Sequence, residues 1–368
     1  MLISSTETRM CATAEPDFYL PDECWQSTFQ FLIDDGCDYE QRLDYLKSLS
    51  VVSKQFLTIT NSLLFSLKLK ELYNSEFPLL PCLLNRFSNL NSLDLQYYQQ
   101  VNLNELLCQI STFPLKNLKS LHFYCYLSDF PADGLRVFSK NITTLTSLTC
   151  SHIQHLSSTY LFLIADCFPL LEELNLTSPK YFDFINNQSL LDGVEALSST
   201  LFKLRKVNLS GHYYINNQSL LHLFKNCKLL EEAIILGCDL ITSAGLAFAL
   251  RERPTLKSLS FTCLFEPGCA TLFAVSPQLK SLRIDCDSWL SDEGIKLFAS
   301  IFPKLEVLDL SDTGVDDETL CVISKSYPGL LQLYLENCYV TEKGVKHVVE
   351  NCTQLREISL MACKRSVC

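Results

Sequence analysis

Along most of the chain apolar residues recur in one short pattern, Leu-x-x-Leu-x-Leu, seen cleanly at Leu305-Glu-Val-Leu308-Asp-Leu310. Its first residue falls at Leu90, Leu118, Leu145, Leu171, Leu204, Leu230, Leu256, Leu279, Leu305, Leu330 and Leu355. Most successive positions lie about 25 to 28 apart, the signature of an array of structural repeats. The last two leucines of each pattern are two residues apart, so in an extended strand they point the same way while the residues between them face oppositely. The pattern predicts one strand per period, leucines inward.

The rest of each period behaves as a connection and a helix. Ser291-Asp-Glu-Gly-Ile295-Lys-Leu-Phe298-Ala begins with a capping residue and then spaces apolar groups at roughly helical intervals. One such unit cannot bury its apolar face alone. Stacking gives each a neighbour, and each fully buried Leu contributes about 1.5 to 3 kcal/mol before chain entropy is subtracted. One long interval and two repeats depart from the rule. Leu171 to Leu204 is long, with Pro179-Lys-Tyr-Phe-Asp-Phe-Ile185 read as an extra loop, and Leu145-Thr-Ser-Leu148-Thr-Cys150 and Leu230-Glu-Glu-Ala233-Ile-Ile235 replace leucines. The chain stops a few residues after Leu360 without a recognisable polar capping segment. Its last strand is therefore read as exposed, as pairing with a partner, or as the end of a truncated gene model.

Ahead of the array, residues 1 to 16 carry no periodicity and are expected to form a mobile tail. Leu20-Pro21-Asp22-Glu23 then reads as a helix start, followed by Trp25, Phe29, Leu32 and Ile33 at helical spacing. After a polar stretch, Leu43, Leu46, Leu49 and Val52 and then Phe56 and Ile59 continue the pattern. Three short helices fit residues 17 to 62.

Composition narrows the function classes. The N-terminus lacks a signal-peptide pattern and no apolar run reaches about 18 residues, so the chain is expected in the cytoplasm, the nucleus or both, without a membrane partner. A net charge of -11 argues against nucleic acid as the main partner. The 18 cysteines include no Cys-x-x-Cys pair. Cys238, Cys263, Cys286, Cys338 and Cys363 follow strand leucines, where a small semi-apolar side chain packs in a turn, so structural packing is preferred to metal or redox chemistry.

Leu20-Pro21-Asp22-Glu23 followed by Leu49-Ser-Val-Val52-Ser53-Lys54-Gln-Phe56 resembles an F-box, over residues 17 to 62. The repeats, 63 to 368, resemble the cysteine-containing leucine-rich-repeat subfamily of plant-like F-box proteins. Cys238-Asp-Leu-Ile241-Thr242-Ser-Ala-Gly245-Leu246 and Cys338-Tyr-Val340-Thr341-Glu-Lys-Gly344-Val345 echo its Cys followed by Ile-Thr-Asp-x-Gly-Leu. The resemblance implies an α/β fold: a solenoid of about 11 to 12 leucine-rich repeats, a horseshoe with a parallel β-sheet on its concave face and helices outside, preceded by a small three-helix F-box. Cys24-Trp25 departs from the apolar pair usual after the acidic residue, and Asp34 to Arg42 lengthens the first connection.

The implied activity is that of a substrate receptor in a Skp-cullin-F-box ubiquitin ligase, non-catalytic itself. The F-box would bind the Skp-family adaptor, and through it cullin, while the repeats hold a protein destined for degradation. The adaptor candidates are Leu20, Pro21, Trp25, Leu49, Val52 and Phe56, apolar groups that a small helical unit cannot bury entirely; the alternative is that they form the core of a cap for the solenoid. Substrate candidates are strand-face positions, among them Asp94, Gln96, His122, Asn175, Lys206, Asn208, Asp285, Asp309 and Glu336. The aromatic and cationic anchors Tyr98, Tyr124, Tyr214, Arg283, Trp289 and Tyr334 rank ahead, with Tyr97 and Tyr213 beside them.

No cofactor or metal is expected. The histidines (His122, His152, His155, His212, His222, His347) are dispersed, and no nucleophile, metal or phosphate motif is present, so no catalytic residue is assigned. A leucine-rich scaffold with a degenerate F-box is the second function class.

Overall fold

The computed structural model describes residues 20–34, 39–70, 80–87, 89–96, 102–124, 130–153, 157–177, 190–212, 215–262, 276–285 and 292–363. The chain divides into two compact units, Met1–Phe65 with Arg86–Asn89, and Ser66–Asn85 with Leu90–Cys368. The expected tail at 1–16 and the extra loop at 179–185 lie outside the described residues.

The first unit contains helices α1 (Asp22–Asp34), α2 (Tyr39–Ser50) and α3 (Lys54–Ser62). α1 opens at Pro21, whose carbonyl accepts the N–H of Cys24 and of Trp25 at 3.0 and 3.3 Å, and Asp22 and Glu23 complement its positive end. α3 starts at Ser53, whose Oγ accepts the Phe56 N–H at 3.1 Å. Phe29 and Ile33, one helical turn apart, close a small core with Leu46 and Ile59. Leu32, expected on that face, is 46% exposed. One residue short of Ile33, it is rotated about 100° away from that side chain around the helix.

In the second unit strand and helix alternate. The strands are β1 (Ser66–Lys70), β2 (Ser92–Gln96), β3 (Ser120–Tyr124), β4 (Ser147–Ser151), β5 (Glu173–Asn175), β6 (Lys206–Asn208), β7 (Glu232–Ile235), β8 (Ser258–Thr262), β9 (Ser281–Asp285), β10 (Val307–Asp309), β11 (Gln332–Tyr334) and β12 (Glu357–Ser359). The helices are α4 (Leu80–Arg86), α5 (Leu103–Ile110), α6 (Ala132–Asn141), α7 (Ser158–Cys167), α8 (Leu190–Thr200), α9 (Asn217–Asn226), α10 (Ser243–Glu252), α11 (Asp292–Ile301), α12 (Asp317–Ser326) and α13 (Glu342–Asn351). The strands form one sheet in sequence order, every pair parallel. The fold is a leucine-rich-repeat solenoid.

Its core is the stack of pattern leucines and their substitutes. Leu93, Leu95, Leu121, Phe123 and Leu148 are fully buried, as are Cys150 and Ala233 where the pattern breaks from leucine. A repeat that the list of eleven omits comes first: Leu64-Phe-Ser-Leu67-Lys-Leu69, all three leucines buried, supplies β1. At the other end Leu355, Ile358 and Leu360 of the last described repeat are only half-buried.

The Thr-x-x-Gly signature has a physical cause. Thr341 caps α13, and Asp317, at the start of the preceding helix, accepts the N–H of Thr341 at 2.8 Å and of Gly344 at 3.1 Å. Asn217 holds the Thr242 N–H at 2.9 Å, and Asn104 the Gly134 N–H at 2.7 Å. A Cβ on Gly344 would meet Asp317 Oδ1 at 2.4 Å, and one on Gly245 would meet Asn217 Oδ1 at 1.9 Å. Glycine lets the polar side chain of one repeat reach the helix start of the next.

The described turn cysteines are structural, as their spacing indicates. Cys238, Cys338 and Cys363 donate Sγ–H to the carbonyls of Leu209, Leu310 and Leu335 one repeat earlier, at 3.3, 3.2 and 3.0 Å. Burial pushes the Cys238 thiol up to about 12, which keeps it protonated and unreactive. Cys263 and Cys286 lie outside the described residues. Among the described residues no helix is long and apolar enough to cross a membrane.

Candidate functional site

Of the six adaptor candidates, Leu20 (37% exposed), Pro21 and Val52 (64% exposed) stand at the surface, whereas Trp25, Leu49 and Phe56 are half-buried. Trp25 and Phe56 pack together with ring centroids 4.8 Å apart, and Phe29 lies 6.0 Å from the first and 4.8 Å from the second. These two rings therefore take part in the unit's own packing. Leu20, Pro21 and Val52 keep apolar surface open to a partner.

Sequence reasoning passed over Phe31 (72% exposed), Tyr45 and Val51 (81% exposed). Phe31 is two residues from buried Phe29, about 200° around the helix, so an apolar group on the polar side was the signal available. Val51 and Val52 occupy the break between α2 and α3, a place where loops carry apolar residues for contact rather than for core.

On the repeat unit the first, third and fifth strand positions leave the sheet on the side opposite the leucines, with alternating burial in β3, β4, β8 and β9. Tyr124, Arg283 and Tyr334 stand on this face, half-buried. Tyr97, Tyr98, Tyr213, Tyr214 and Trp289 lie outside the described residues.

Many charges on or beside this face are matched across neighbouring strands. Arg283 Nη1 lies 3.5 Å from Asp309, Lys206 Nζ 3.2 Å from Glu173, Lys280 Nζ 2.6 Å from Glu306, and Glu231 faces Arg205 at 2.6 Å and Lys257 at 3.2 Å. Each pair is at least partly exposed, so each contributes at most about 1 kcal/mol. The Glu173 carboxylate raises the Lys206 ammonium above its ordinary value, first by its hydrogen bond and then by its charge. Desolvation, then the hydrogen bond to Glu357, raises the Tyr334 phenol. Such pairing leaves less unmatched charge to select a partner.

A different arrangement crosses β2, β3 and β4. Asp94 and His122 are direct register partners, and His122 Nδ1 lies 3.2 Å from Asp94 Oδ1. Ser151 is register partner to Tyr124, hence diagonal to His122, and its Oγ lies 3.4 Å from His122 Nε2. The Tyr124 ring sits between the two imidazoles, 4.7 Å from His122 and 5.4 Å from the exposed His152, which takes φ 62° at the strand end. Asp94 is nearly buried, although strand alternation placed it on the open face. Sequence analysis did not single out Ser151 and counted His152 only among dispersed histidines. Their relation to His122 depends on strand register, which one sequence does not state. Among the described residues no group of three His, Cys, Asp or Glu side chains could hold a metal ion.

No family model matches the chain. Over 170 residues it is 26% identical to the BTB/POZ domain-containing protein FBL11 of Arabidopsis thaliana, a match taking in 45% of this chain and only 18% of that protein. The leucine-rich repeat-containing protein LegL7 from Legionella pneumophila superposes with a TM-score of 0.48 and 19% identity, over 72% of this chain and 86% of that one. A chain of the yeast Rad7 and Elc1 complex gives a TM-score of 0.39 and 17% identity, over 88% and 90%. The class is fixed by the repeats and the twelve-stranded parallel sheet themselves: a leucine-rich-repeat protein, with the protein-interaction fold of that class.

Proposed function

We propose that this chain is the substrate receptor of a Skp-cullin-F-box ubiquitin ligase, its three-helix unit an F-box that binds the Skp-family adaptor and its repeats the holder of a protein substrate. The observation that carries this reading is the surface of the helical unit. Its core is already closed by Phe29, Ile33, Leu46 and Ile59, yet Leu20, Pro21 and Val52, at the F-box positions, stay exposed together with Val51. Water-exposed apolar groups beside a completed core support a docking role. The chain contributes no bond chemistry to ubiquitin transfer. It contributes proximity, because tethering turns the meeting of substrate lysine and conjugating enzyme into an event at high effective concentration.

The test is adaptor binding by the purified chain and by a Leu20→Ala, Pro21→Ala double variant, with circular dichroism as the check on folding. Both residues are exposed, so the variant is expected to fold and to bind about tenfold or more weakly. No binding by the unaltered chain at micromolar adaptor sinks the proposal. A second reading, a leucine-rich scaffold outside the ligase, is favoured by the inward packing of Trp25 and Phe56, and cullin would then be missing from material captured with the chain.

A further inference from the structure

We infer that Ser151 is an activated nucleophile, with His122 as its general base and Asp94 as the residue that positions the imidazole, and that it takes an acyl group from a small activated ester presented on the strand face. Three side chains on three adjacent strands meet in the order that nucleophilic catalysis requires: carboxylate against Nδ1 at 3.2 Å, Nε2 against hydroxyl at 3.4 Å. Asp94 Oδ1 lies 3.2 Å from Nδ1 without the alignment of a hydrogen bond, so it is the carboxylate's charge that favours the neutral His122 tautomer protonated on Nδ1, which leaves the Nε2 lone pair for the Ser151 hydroxyl. Pairs of this kind in resting enzymes commonly stand wider than the about 2.6 to 3.2 Å of the working complex.

Other strand-face hydroxyls mark the contrast. Ser147 and Ser359 hydrogen-bond to the carboxylates of Glu173 and Glu336, at 3.3 and 2.8 Å. A carboxylate is a far weaker base than imidazole, so neither serine is activated at neutral pH. Burial distinguishes the trio as well: the Asp94 side chain keeps 11% of its exposure and that of His122 26%, so the carboxylate is sheltered while the imidazole and hydroxyl meet solvent. The half-buried Tyr124 ring, 4.7 Å from His122, offers a flat apolar seat for the acyl or leaving group.

The step balances with water as the only co-reactant. Ser151 Oγ bonds to the acyl carbon as its proton passes to His122 Nε2, and the carbonyl π pair moves to oxygen. Collapse breaks the bond to the leaving alkoxide, which takes the proton from Nε2. Water then attacks the acyl-serine, gives its proton to Nε2, and releases the carboxylic acid as Oγ recovers the proton. Ser151 and His122 act on the reacting atoms, and Asp94 acts through His122.

The experiment treats the full chain with an alkyl fluorophosphonate, which forms an Oγ–P bond and expels fluoride as the serine proton leaves through the imidazole. Labelling is followed by intact mass and located by peptide mapping, and the burst of 4-nitrophenol from 4-nitrophenyl acetate gives a second readout. One label per chain at Ser151 is expected, absent in Ser151→Ala. The labelling rate should fall about 10²- to 10⁴-fold in His122→Gln, the usual contribution of a general base, and by a smaller factor in Asp94→Asn. Ser151 and His122 are half-exposed, so thermal melts close to that of the parent should accompany both variants. Label spread over many serines at the rate of the urea-unfolded chain, or a rate unchanged in folded His122→Gln, overturns the inference and reduces the trio to a hydrogen-bonded ladder. Adaptor binding belongs to the other unit and is unaffected by either result.

Discussion

Acid should weaken the repeat array through one residue, His212. Its imidazole is fully buried in the turn after β6 and hydrogen-bonds the Leu176 carbonyl one repeat away through Nε2. Desolvation pushes its pKa from 6.5 down to about 4, against the smaller raising effect of that hydrogen bond. A base whose folded pKa lies below its unfolded value binds fewer protons in the native state, so stability rises with pH across the interval. The contribution is complete above about 6.5 and is lost as pH falls toward 4. At about 1.4 kcal/mol per pH unit it comes to about 3 kcal/mol by pH 4.

The perturbation is His212→Gln, which keeps an amide donor for the Leu176 carbonyl and cannot take up a proton. Urea midpoints for parent and variant, measured at half-unit steps from pH 7.5 to 4, supply the assay, with hydrogen exchange of the amides around Leu176 and Leu209 as the local readout. Glutamine costs about 1 to 3 kcal/mol at pH 7 through imperfect packing and hydrogen bonding. The two curves should converge on acidification, since carboxylates that titrate in the same range are common to both chains. Parallel curves down to pH 4 would refute the assignment of a buried neutral imidazole.

The remaining predictions concern contacts between and within repeats. Gly245→Ala should destabilise by about 1 to 3 kcal/mol in thermal or urea unfolding, because its Cβ would displace Asn217 from the Thr242 N–H, and pairing it with Asn217→Ala should recover part of the loss. Arg253→Met should cost about 2 to 4 kcal/mol: the nearly buried guanidinium satisfies the Phe224 carbonyl through Nε at 3.0 Å and Nη2 at 2.6 Å, and the Lys228 carbonyl through Nη1 at 2.6 Å. Tyr327→Phe should be neutral or stabilising by about 1 kcal/mol, since the buried phenol oxygen has no hydrogen-bond partner among the described residues, and a destabilisation above that in the urea midpoint would refute it.

How far the sequence reveals the molecule follows from which interactions repeat. The strand leucines recur at a fixed interval because every repeat meets the same neighbour, so even Cys150 and Ala233 fall at fully buried strand positions. The signal weakens where an end repeat has its own environment: β1 follows helices of different pattern in the sequence and is easily read as part of them. Surface positions obey no such period. Leu32 and Ile33 are adjacent and equally apolar, and helix geometry buries the second only because Phe29 lies one turn before it.

The same logic separates what positions the candidate site from what composes it. Strand alternation is a property of one chain segment, and it puts His122 and Tyr124 on the open face. The meeting of Asp94, His122 and Ser151 is instead a property of register among three strands, set by the 28-residue step from Asp94 to His122 and the 27-residue step from Tyr124 to Ser151. A one-residue slip in either connection would turn a whole strand over, so that leucines faced water, at a cost of several buried side chains. The repeat core thus fixes the register. The polar trio inherits its geometry from leucines on the opposite face of the sheet, and substitutions at Asp94, His122 or Ser151 should change chemistry or binding while leaving the array standing.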